Sequence, residues 1–465
     1  MKTWIWILGG LYAALLILAS MKSFKKGRSA EEFMFAGSNI GLILGVLTYA
    51  AALFSTFTFL GMPDFFRLHG IGGWVFLSIS NGIMVFFLVW FGYHIRKKVK
   101  TMGFKGVAGL IGNTYGNKYA GYVIFLSAFL FLIPYAGIQI QGISIFMQAA
   151  FPNSLPAWGW ASLIIFVMLL YSEIGGFKAI IFSDAIQALL LLTVLWIIGS
   201  VCLSHFGGIK SMFEALKVVD EKLLSIPGPK GLLTPQFLIA SMIAIVMIPV
   251  TQPQLTTRIV VMKSLKSTHY MAVSLGFFAM LIILPTLFIG MYGAQQYPGA
   301  SKDDFFASAF LYDQSGFVAA LAVIGLIAAG LSTTNAQIFA LGSELRGLMK
   351  GDEKKIMRIT KISIFFFTMI ALAFSLKISD QIVLLARVSF AGTALMGPMI
   401  LLGILSDKKI NLAMIPLSFI ALVIFLLSLA KVIPNEYLGL RLDLLLFVLL
   451  SIAAVISHLF SKPKP

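Results

Sequence analysis

Charged residues are scarce in this sequence: they make up 11% of its 465 residues, whereas 59% are hydrophobic. A soluble domain usually carries about 25% charged residues. The mean hydropathy of +0.96 points the same way. This shortage of charge excludes a soluble domain and indicates a protein embedded in a lipid bilayer.

Cysteine and histidine are also rare. The single cysteine, Cys202, excludes an internal disulfide and a zinc site built from cysteines. The five histidines lie far apart, at the ends of apolar runs or in loops. Since this pattern contains neither a metal cluster nor a catalytic triad, we expect a protein that is not an enzyme.

The net charge of +17 has two interpretations. On a soluble protein it would favour nucleic acid as a partner. Here the lysines and arginines lie in short loops between apolar runs, which is typical of membrane orientation signals. We therefore expect no nucleic-acid partner.

Apolar runs of membrane-spanning length recur along the whole chain. They predict an all-α polytopic membrane protein with about thirteen transmembrane helices. The predicted segments are 3–20, 40–62, 71–95, 119–150, 154–172, 177–204, 233–258, 268–296, 315–345, 354–378, 382–405, 410–431 and 437–460.

The basic loops predict the orientation of these segments. Loops such as KSFKKGR and HIRKKVK follow the first, third, seventh, ninth, eleventh and thirteenth segments, so alternating crossings place all of them on one side. The positive-inside rule assigns that side to the cytoplasm. We expect the N-terminus outside, the C-terminus inside and a multi-pass protein of the cell inner (plasma) membrane. Between segments, 205–232 predicts a short interfacial helix whose apolar face contains Met212, Phe213, Leu216 and Val219.

Polar residues interrupt the apolar stretch GLIAAGLSTTNAQIF (325–339). The carbonyl of Ala329 and the hydroxyls of Ser332 and Thr333 share one helical face, at i, i+3 and i+4. Three converging oxygens suit a small hard cation when another helix supplies further ligands. The alternative is that the hydroxyls bond their own helix or allow close helix packing.

Two other segments have signs of an interrupted helix. LTYAAALFSTFTFLGMP (47–63) is rich in small and hydroxyl residues, and unwinding near its centre would free carbonyls for a cation. In MIPVTQPQLTTR (247–258), Pro249 and Pro253 bracket Thr251 and Gln252. Close packing of small residues in the first, and a plain proline kink in the second, are the alternatives.

The stretch YSEIGGFKAIIFSDAIQALLLL (171–192) places charge inside an apolar run. Glu173, Gly175, Gly176 and Lys178 fit a tight turn between two helices. Asp184 lies about 10 Å further in at helical rise, too deep for its short side chain to reach water. It therefore needs a partner, a proton, a cation or a water-filled vestibule.

Five motifs in this order resemble the sodium:solute symporter family, and they span nearly the whole chain. They are GMP (61–63), YSEIGGFKAIIFSDAIQ (171–187), QPQLTTR (252–258), AGLSTTN (329–335) and SFAGTALMGPMILLGIL (389–405). The resemblance implies one transporter domain over 1–465, with a leucine-transporter-type core of two inverted five-helix repeats. Repeat one would cover 40–204 and repeat two 233–405, with peripheral helices at 3–20 and 410–460.

The resemblance also implies the sodium ligands. The main Na⁺ site would use the carbonyls of Ala51, Phe54 and Ala329 and the hydroxyls of Ser332 and Thr333. Some members of the family hold a second sodium near the residues that match Asp184 and Asn335. Because Asn335 and the next residue stand where that pattern prefers serines, Asp184 is alternatively part of the ion's exit.

The solute site follows less directly. The resemblance to sugar-carrying relatives points to Thr58 and Gln252, and we add the polar residues Ser55, Asn81 and Gln139 as candidates. Arg387 has two interpretations: it extends outward, towards Asp380, or it binds an anionic solute. A stoichiometry of one sodium favours a neutral or zwitterionic solute, whereas an Arg387 that faces the cavity favours a small carboxylate.

These expectations describe a sodium-coupled secondary active symporter that imports a small organic solute, such as a carboxylate or an amino acid, by alternating access. One alternative keeps the fold and couples transport to protons through Asp184. The other is a substrate sensor that does not transport.

Overall fold

The computed structural model describes residues 1–23, 29–377 and 382–461, and these form an almost entirely helical molecule. The helices are α1 (Lys2–Ser23), α2 (Ala30–Phe35), α3 (Leu42–Leu53), α4 (Met62–His69), α5 (Ile71–Met102), α6 (Val107–Tyr115), α7 (Lys118–Ala150), α8 (Ala157–His205), α9 (Ile209–Val219), α10 (Pro235–Val246), α11 (Ile248–Thr251), α12 (Pro253–Val260), α13 (Leu265–Gln296), α14 (Lys302–Ala307), α15 (Gly316–Leu348), α16 (Glu353–Ser375), α17 (Ile382–Ala394), α18 (Gly397–Leu405), α19 (Met414–Leu429) and α20 (Leu442–Leu459). Short 3₁₀ turns cover Ala36–Ser38 and Glu221–Leu224, and π-helical turns cover Phe57–Gly61 and Ser308–Tyr312.

Each predicted apolar segment contains at least one apolar helix. Within the described ranges, nine helices have the length and composition to cross a membrane, and the bent pair α3–α4 makes a tenth. Three shorter apolar helices cover Ala157–Leu170, Pro235–Val246 and Met414–Leu429. The positions of the helices therefore agree with the sequence, whereas the number of crossings, their orientation and the inverted repeats stay predictions.

Several details differ from the sequence-based expectation. The segment 382–405 is divided into α17 and α18, and a hairpin of two two-residue strands, β1 (Glu436–Tyr437) and β2 (Leu440–Arg441), precedes α20. The expected interfacial helix is α9, where Met212 and Leu216 are buried but Val219 is exposed. Val219 is the last residue of α9, and its side chain is left exposed where the helix ends.

The turn predicted in YSEIGGFK lies inside α8. Gly176 has φ 60° and ψ −162°, and it divides α8 into two helical halves. Only glycine takes this conformation without steric cost, because other residues carry a Cβ atom. The kink lets the second half enter the core with Asp184, which is fully buried.

The core lies around two central helices. In α7 and α15, 72% of the membrane-length window is buried, against 28% in α1 and 33% in α20. The central helices are therefore enclosed by other helices, while α1 and α20 leave most of their apolar surface for lipid. In α16, which lies inside the predicted second repeat, the buried share is also 33%, so the peripheral position of the first and last helices stays a prediction.

Candidate ion and solute site

The helix pair α3–α4 is interrupted at buried residues, Phe54 to Thr56. α3 ends at Leu53, Phe54 takes an extended conformation (φ −92°, ψ 126°), and the two helical parts are bent by 64°. The backbone amides that follow the break each find a side-chain acceptor. These bonds join Ser55 N–H to Thr58 Oγ1 at 3.2 Å, Thr56 N–H to Gln139 Oε1 at 2.9 Å, and Phe57 N–H to Ser55 Oγ at 3.1 Å. A break without glycine or proline is tolerated here because its freed donors are satisfied by protein.

Oxygen atoms of two separate helices meet at this break. The Ser332 hydroxyl donates to the carbonyls of Ala51 at 3.1 Å and Ala329 at 2.9 Å. The Thr333 hydroxyl donates to the same Ala51 carbonyl at 3.1 Å. Three hydrogen bonds thus connect four of the five oxygens expected around sodium. The fifth, the carbonyl of Phe54, belongs to the extended residue at the break itself, where the backbone leaves the helical direction.

Two glycines allow this close approach of the helices. A Cβ atom at Gly142 of α7 would lie 2.3 Å from Cγ2 of Thr56, and one at Gly330 of α15 would lie 2.8 Å from its Oγ1. Both distances are shorter than atoms tolerate, so a side chain at either position would push the break away from α7 or α15. The glycine of the AGLSTTN motif therefore has a packing role next to the hydroxyls.

A second interruption lies between α11 and α12. Gln252 is extended (φ −100°, ψ 100°), and Pro253, which has no amide donor, begins α12. Thr256 donates to the freed carbonyl of Pro249 at 2.8 Å. The Gln252 amide donates to Thr393 of α17 at 3.1 Å and accepts from the side chain of Gln254 at 2.8 Å. The two segments expected to be interrupted are therefore both interrupted.

A largely apolar cavity lies beside the first break, between α3, α5, α10 and α17. Most of its wall is apolar and includes six phenylalanines. The lining residues are Leu53, Phe54, Phe57, Thr58, Met62, Phe65, Phe76, Leu77, Asn81, Phe237, Ser241, Ala244, Ile245, Ile248, Arg387 and Phe390. The composition of this wall suits an organic solute with an apolar body, while the volume of about 70 Å³ in this conformation is smaller than that of a typical ligand pocket.

The solute candidates separate into two groups. Thr58, Asn81 and Arg387 line the cavity. The side-chain N–H of Asn81 donates to the carbonyl of Leu77 in its own helix at 2.8 Å. The side-chain oxygen of Asn81 is left to accept a hydrogen bond. By contrast, Ser55, Gln139 and Gln252 do not line this cavity; as described above, their side chains bond the two breaks and α17.

Arg387 contacts a residue that the sequence did not indicate. Its Nη2 donates to Asp443 of α20 at 2.5 Å, and its Nε donates to Ser241 at 2.8 Å. The expected neighbour Asp380 lies outside the described residues. Asp443 also pairs with Arg441 at 3.3 Å. The last helix, α20, is therefore connected by Asp443 to Arg387, which lines the cavity.

Asp184 has a protein partner, and it is an arginine. Nη2 of Arg258 lies 2.6 Å from Asp184 Oδ2, both side chains are 0% exposed, and Thr48 donates to the same carboxylate oxygen at 2.5 Å. Arg258 begins the basic stretch RIVVMKSLK that follows its apolar segment, but its side chain turns back into the core and is buried. This pairing favours a charged Asp184, which gives a proton-carrying role no support. Asn335 is buried on α15, and the second sodium stays a prediction.

The donor set fits an alkali cation. Carbonyl and hydroxyl oxygens are the ligands that hard cations prefer, and unwound backbone in membrane transporters commonly coordinates Na⁺. Across the described ranges, no group of three histidine, cysteine or acidic side chains is arranged to hold a transition metal. Interrupted helices that carry these oxygens beside an apolar cavity define a secondary active membrane transporter.

Comparison with known proteins identifies the family. The family model of the sodium:solute symporters matches residues 33–414. The chain belongs to the sodium:solute symporter family; it is a transporter and not an enzyme, and Na⁺ is its coupling ion.

Curated relatives match over most of their length. The chain is 24% identical to a sodium/pantothenate symporter of Haemophilus influenzae, covering 84% of this chain and 82% of the relative. It is 23% identical to the osmoregulated proline transporter OpuE of Bacillus subtilis, covering 86% and 84%. A solved structure of a Na⁺-coupled sialic acid symporter in a substrate-bound outward-open state matches with a TM-score of 0.78 at 16% identity, covering 99% of this chain and 98% of that one. This last likeness shows the fold.

Proposed function

We propose that this protein imports a small organic solute across the cell inner (plasma) membrane by sodium-driven alternating access. The observation that carries the proposal is the convergence of the carbonyls of Ala51 and Ala329 with the hydroxyls of Ser332 and Thr333. These oxygens come from the interrupted α3 and from α15, so an ion held by both helices responds to their separation. The Phe54 carbonyl completes the proposed ligand set.

Coupling follows from the position of the cavity. Leu53, Phe54, Phe57 and Thr58 line the cavity and belong to the same break that supplies sodium ligands. A solute in the cavity and an ion at the carbonyls would both stabilise this one backbone conformation. Thermodynamic linkage then requires each to raise the affinity for the other.

The proposed architecture keeps the sequence-based assignment. The two interrupted segments begin the proposed repeats 40–204 and 233–405, with the N-terminus outside and the C-terminus inside. The pantothenate and proline carried by relatives suggest a small acid or amino acid as the solute. Thr58, Asn81 and Arg387 are the proposed solute ligands, since they line the cavity.

The sodium site is tested by replacing Ser332 and Thr333 together with alanine. Purified wild-type protein should be stabilised against heating by NaCl but not by the same concentration of KCl, and the double variant should lose this difference. Loss of two ligands should also weaken the apparent Na⁺ affinity at least about tenfold, which corresponds to about 1.4 kcal/mol.

Ser343→Ala provides a matched control. Ser343 lies on the same helix and its hydroxyl is equally buried, but that hydroxyl has no hydrogen-bond partner among the described residues. Sodium stabilisation should persist in this variant. A folded double variant that responds to Na⁺ as the wild type does would disprove the ligand assignment.

A further inference from the structure

Among the described residues, the charges around Arg387 do not cancel. Arg387 and Arg441 share one carboxylate, that of Asp443, and these three form one cluster on α17, β2 and α20. Among the described residues, Asp443 and Arg441 are the charged groups that act on Arg387. Two guanidinium groups and one carboxylate leave the cluster with one positive charge.

Arg387 keeps a donor group available. Its Nε and Nη2 are occupied by Ser241 and Asp443, whereas no described residue accepts a hydrogen bond from Nη1. That nitrogen is also absent from the enclosed polar atoms that lack a partner, so it keeps accessible surface on a residue that lines the cavity. Its guanidinium stands over the ring of Phe237 at 5.1 Å, which fixes its plane.

The rest of the cavity wall restricts the solute further. Of the described residues that line the cavity, all except Thr58, Asn81, Ser241 and Arg387 are apolar, and none is acidic. A carboxylate would find the charge-assisted donor at Arg387, and an apolar body would pack on the phenylalanines. Among the described lining residues an ammonium group would find no carboxylate to pair with and only neutral acceptors such as the amide oxygen of Asn81, so its desolvation would be offset less than that of a carboxylate at Arg387.

We infer that the transported solute is a monocarboxylate with an apolar body and no ammonium group, that Arg387 binds its carboxylate, and that Asp443 of the last helix is a positioning residue that limits the positive charge offered to it. This inference rests on the proposed symport function, because it assigns the solute of the same cavity. It separates monocarboxylates from zwitterionic amino acids and neutral solutes.

The test measures binding of small acids to purified protein in NaCl by thermal shift and calorimetry. The probes form matched sets: phenylacetate with phenylacetamide and phenylglycine, and hexanoate with hexanamide and 2-aminohexanoate. At least one acid should bind about tenfold or more tightly than both its amide and its amino acid, the range of a charge-assisted hydrogen bond. Equal binding of acid and amide, preference for the amino acid, or no binding of either acid would overturn the inference.

Variants separate recognition from folding. Arg387→Gln should reduce the acid-to-amide affinity ratio to about one, while Arg387→Lys should keep part of it. Arg67→Gln is the matched control, because Arg67 also pairs with an aspartate, Asp64 at 2.7 Å, and also stands over a phenylalanine but does not line the cavity. An unchanged ratio in Arg387→Gln, or an equal loss in Arg67→Gln, would contradict the assignment.

Asp443→Asn tests the positioning role. Removing this carboxylate raises the charge of the cluster from one to two positive charges, so the acid-to-amide ratio should increase several-fold. If Asp443 had only a structural role, the variant would bind both probes more weakly and the ratio would stay constant; this result would refute the positioning role.

Stabilisation by Na⁺ in the absence of solute reports on the Ser332–Thr333 site alone. If the acids fail to bind while Na⁺ still stabilises the protein, the proposed solute is rejected and the symport function is not.

Discussion

Two arginine–aspartate pairs connect the helices of this protein, and they differ in what surrounds them. Arg258 and Asp184 are 2.6 Å apart, and both side chains are 0% exposed. Arg387 and Asp443 are 2.5 Å apart, with 14% and 8% of their side chains exposed. The first pair is enclosed on all sides, whereas the second borders the cavity.

The difference lies in the donors that each arginine has left. Nε of Arg258 donates to the carbonyl and hydroxyl of Thr48, Nη1 donates to the carbonyl of Gln254, and Nη2 donates to Asp184. All three nitrogens are thus held by protein, and they join α3, α8 and α12. Arg387 holds two partners and leaves Nη1 open. The bonds of Arg258 therefore hold helices together, while the remaining donor of Arg387 is available to a ligand, as proposed above.

Removal of one charge from the enclosed pair should have the largest effect on stability. Asp184→Ala leaves Arg258 buried and uncompensated, which costs about 3–5 kcal/mol in comparable buried pairs. Asp443→Ala should cost clearly less, since Arg387 can turn towards the cavity. Unfolding of both variants in detergent, followed by heat or denaturant, checks this order. Equal losses would mean that the two pairs have the same role.

A double substitution sharpens the comparison. Replacing Asp184 by Leu and Arg258 by Met together removes both charges, and apolar side chains of similar size often replace a buried pair without loss of stability. The double variant should therefore recover at least half of the stability lost in Asp184→Ala. If it is as unstable as Asp184→Ala, the bonds of Arg258 to Thr48 and Gln254 outweigh the charge pairing.

A substitution that disturbs the α3–α4 break should have an intermediate effect on stability. Gln139→Ala removes the acceptor of the Thr56 amide, and a buried donor left unsatisfied costs about 1–3 kcal/mol. Ser144→Ala on the same helix is the control: its hydroxyl donates to the carbonyl of Ile140 one turn earlier, so its loss leaves no orphaned amide. Thermal unfolding should separate the two variants, and equal midpoints would show that Gln139 does not stabilise the break.

The sequence predicts the local features of this site better than the pairings across it. The apolar runs indicate the helices, and the i, i+3, i+4 spacing places Ala329, Ser332 and Thr333 on one face, because both depend on neighbours in the chain. Prolines mark the interruption at Gln252 for the same reason.

The partners of the buried charges follow from the tertiary fold alone. Asp184 and Arg258 are 74 residues apart, and Arg387 and Asp443 are 56 apart. An arginine at the end of an apolar run has the same sequence signal whether it extends into solvent or turns into the core. Gln139 is similar: a glutamine in an apolar helix signals a polar contact, but only packing shows that the contact is a backbone amide at the break.

The smallest effect on stability is expected at Arg441, the most exposed member of the cluster that it forms with Asp443 and Arg387. Arg441 is 27% exposed and pairs with Asp443 at 3.3 Å, so Arg441→Gln should change stability by less than about 1 kcal/mol. It removes the surplus positive charge, and the preference for phenylacetate over phenylacetamide should fall about two- to threefold at low salt. This change should become smaller when the total salt concentration is raised at constant Na⁺, because salt screens the charge of the partly exposed Arg441.

Lys210→Gln is the control. It breaks an exposed pair with Glu214 on α9 and should leave the preference unchanged. A preference in Arg441→Gln that matches the wild type at low salt would mean that Arg387 and Asp443 alone set the charge that the solute meets.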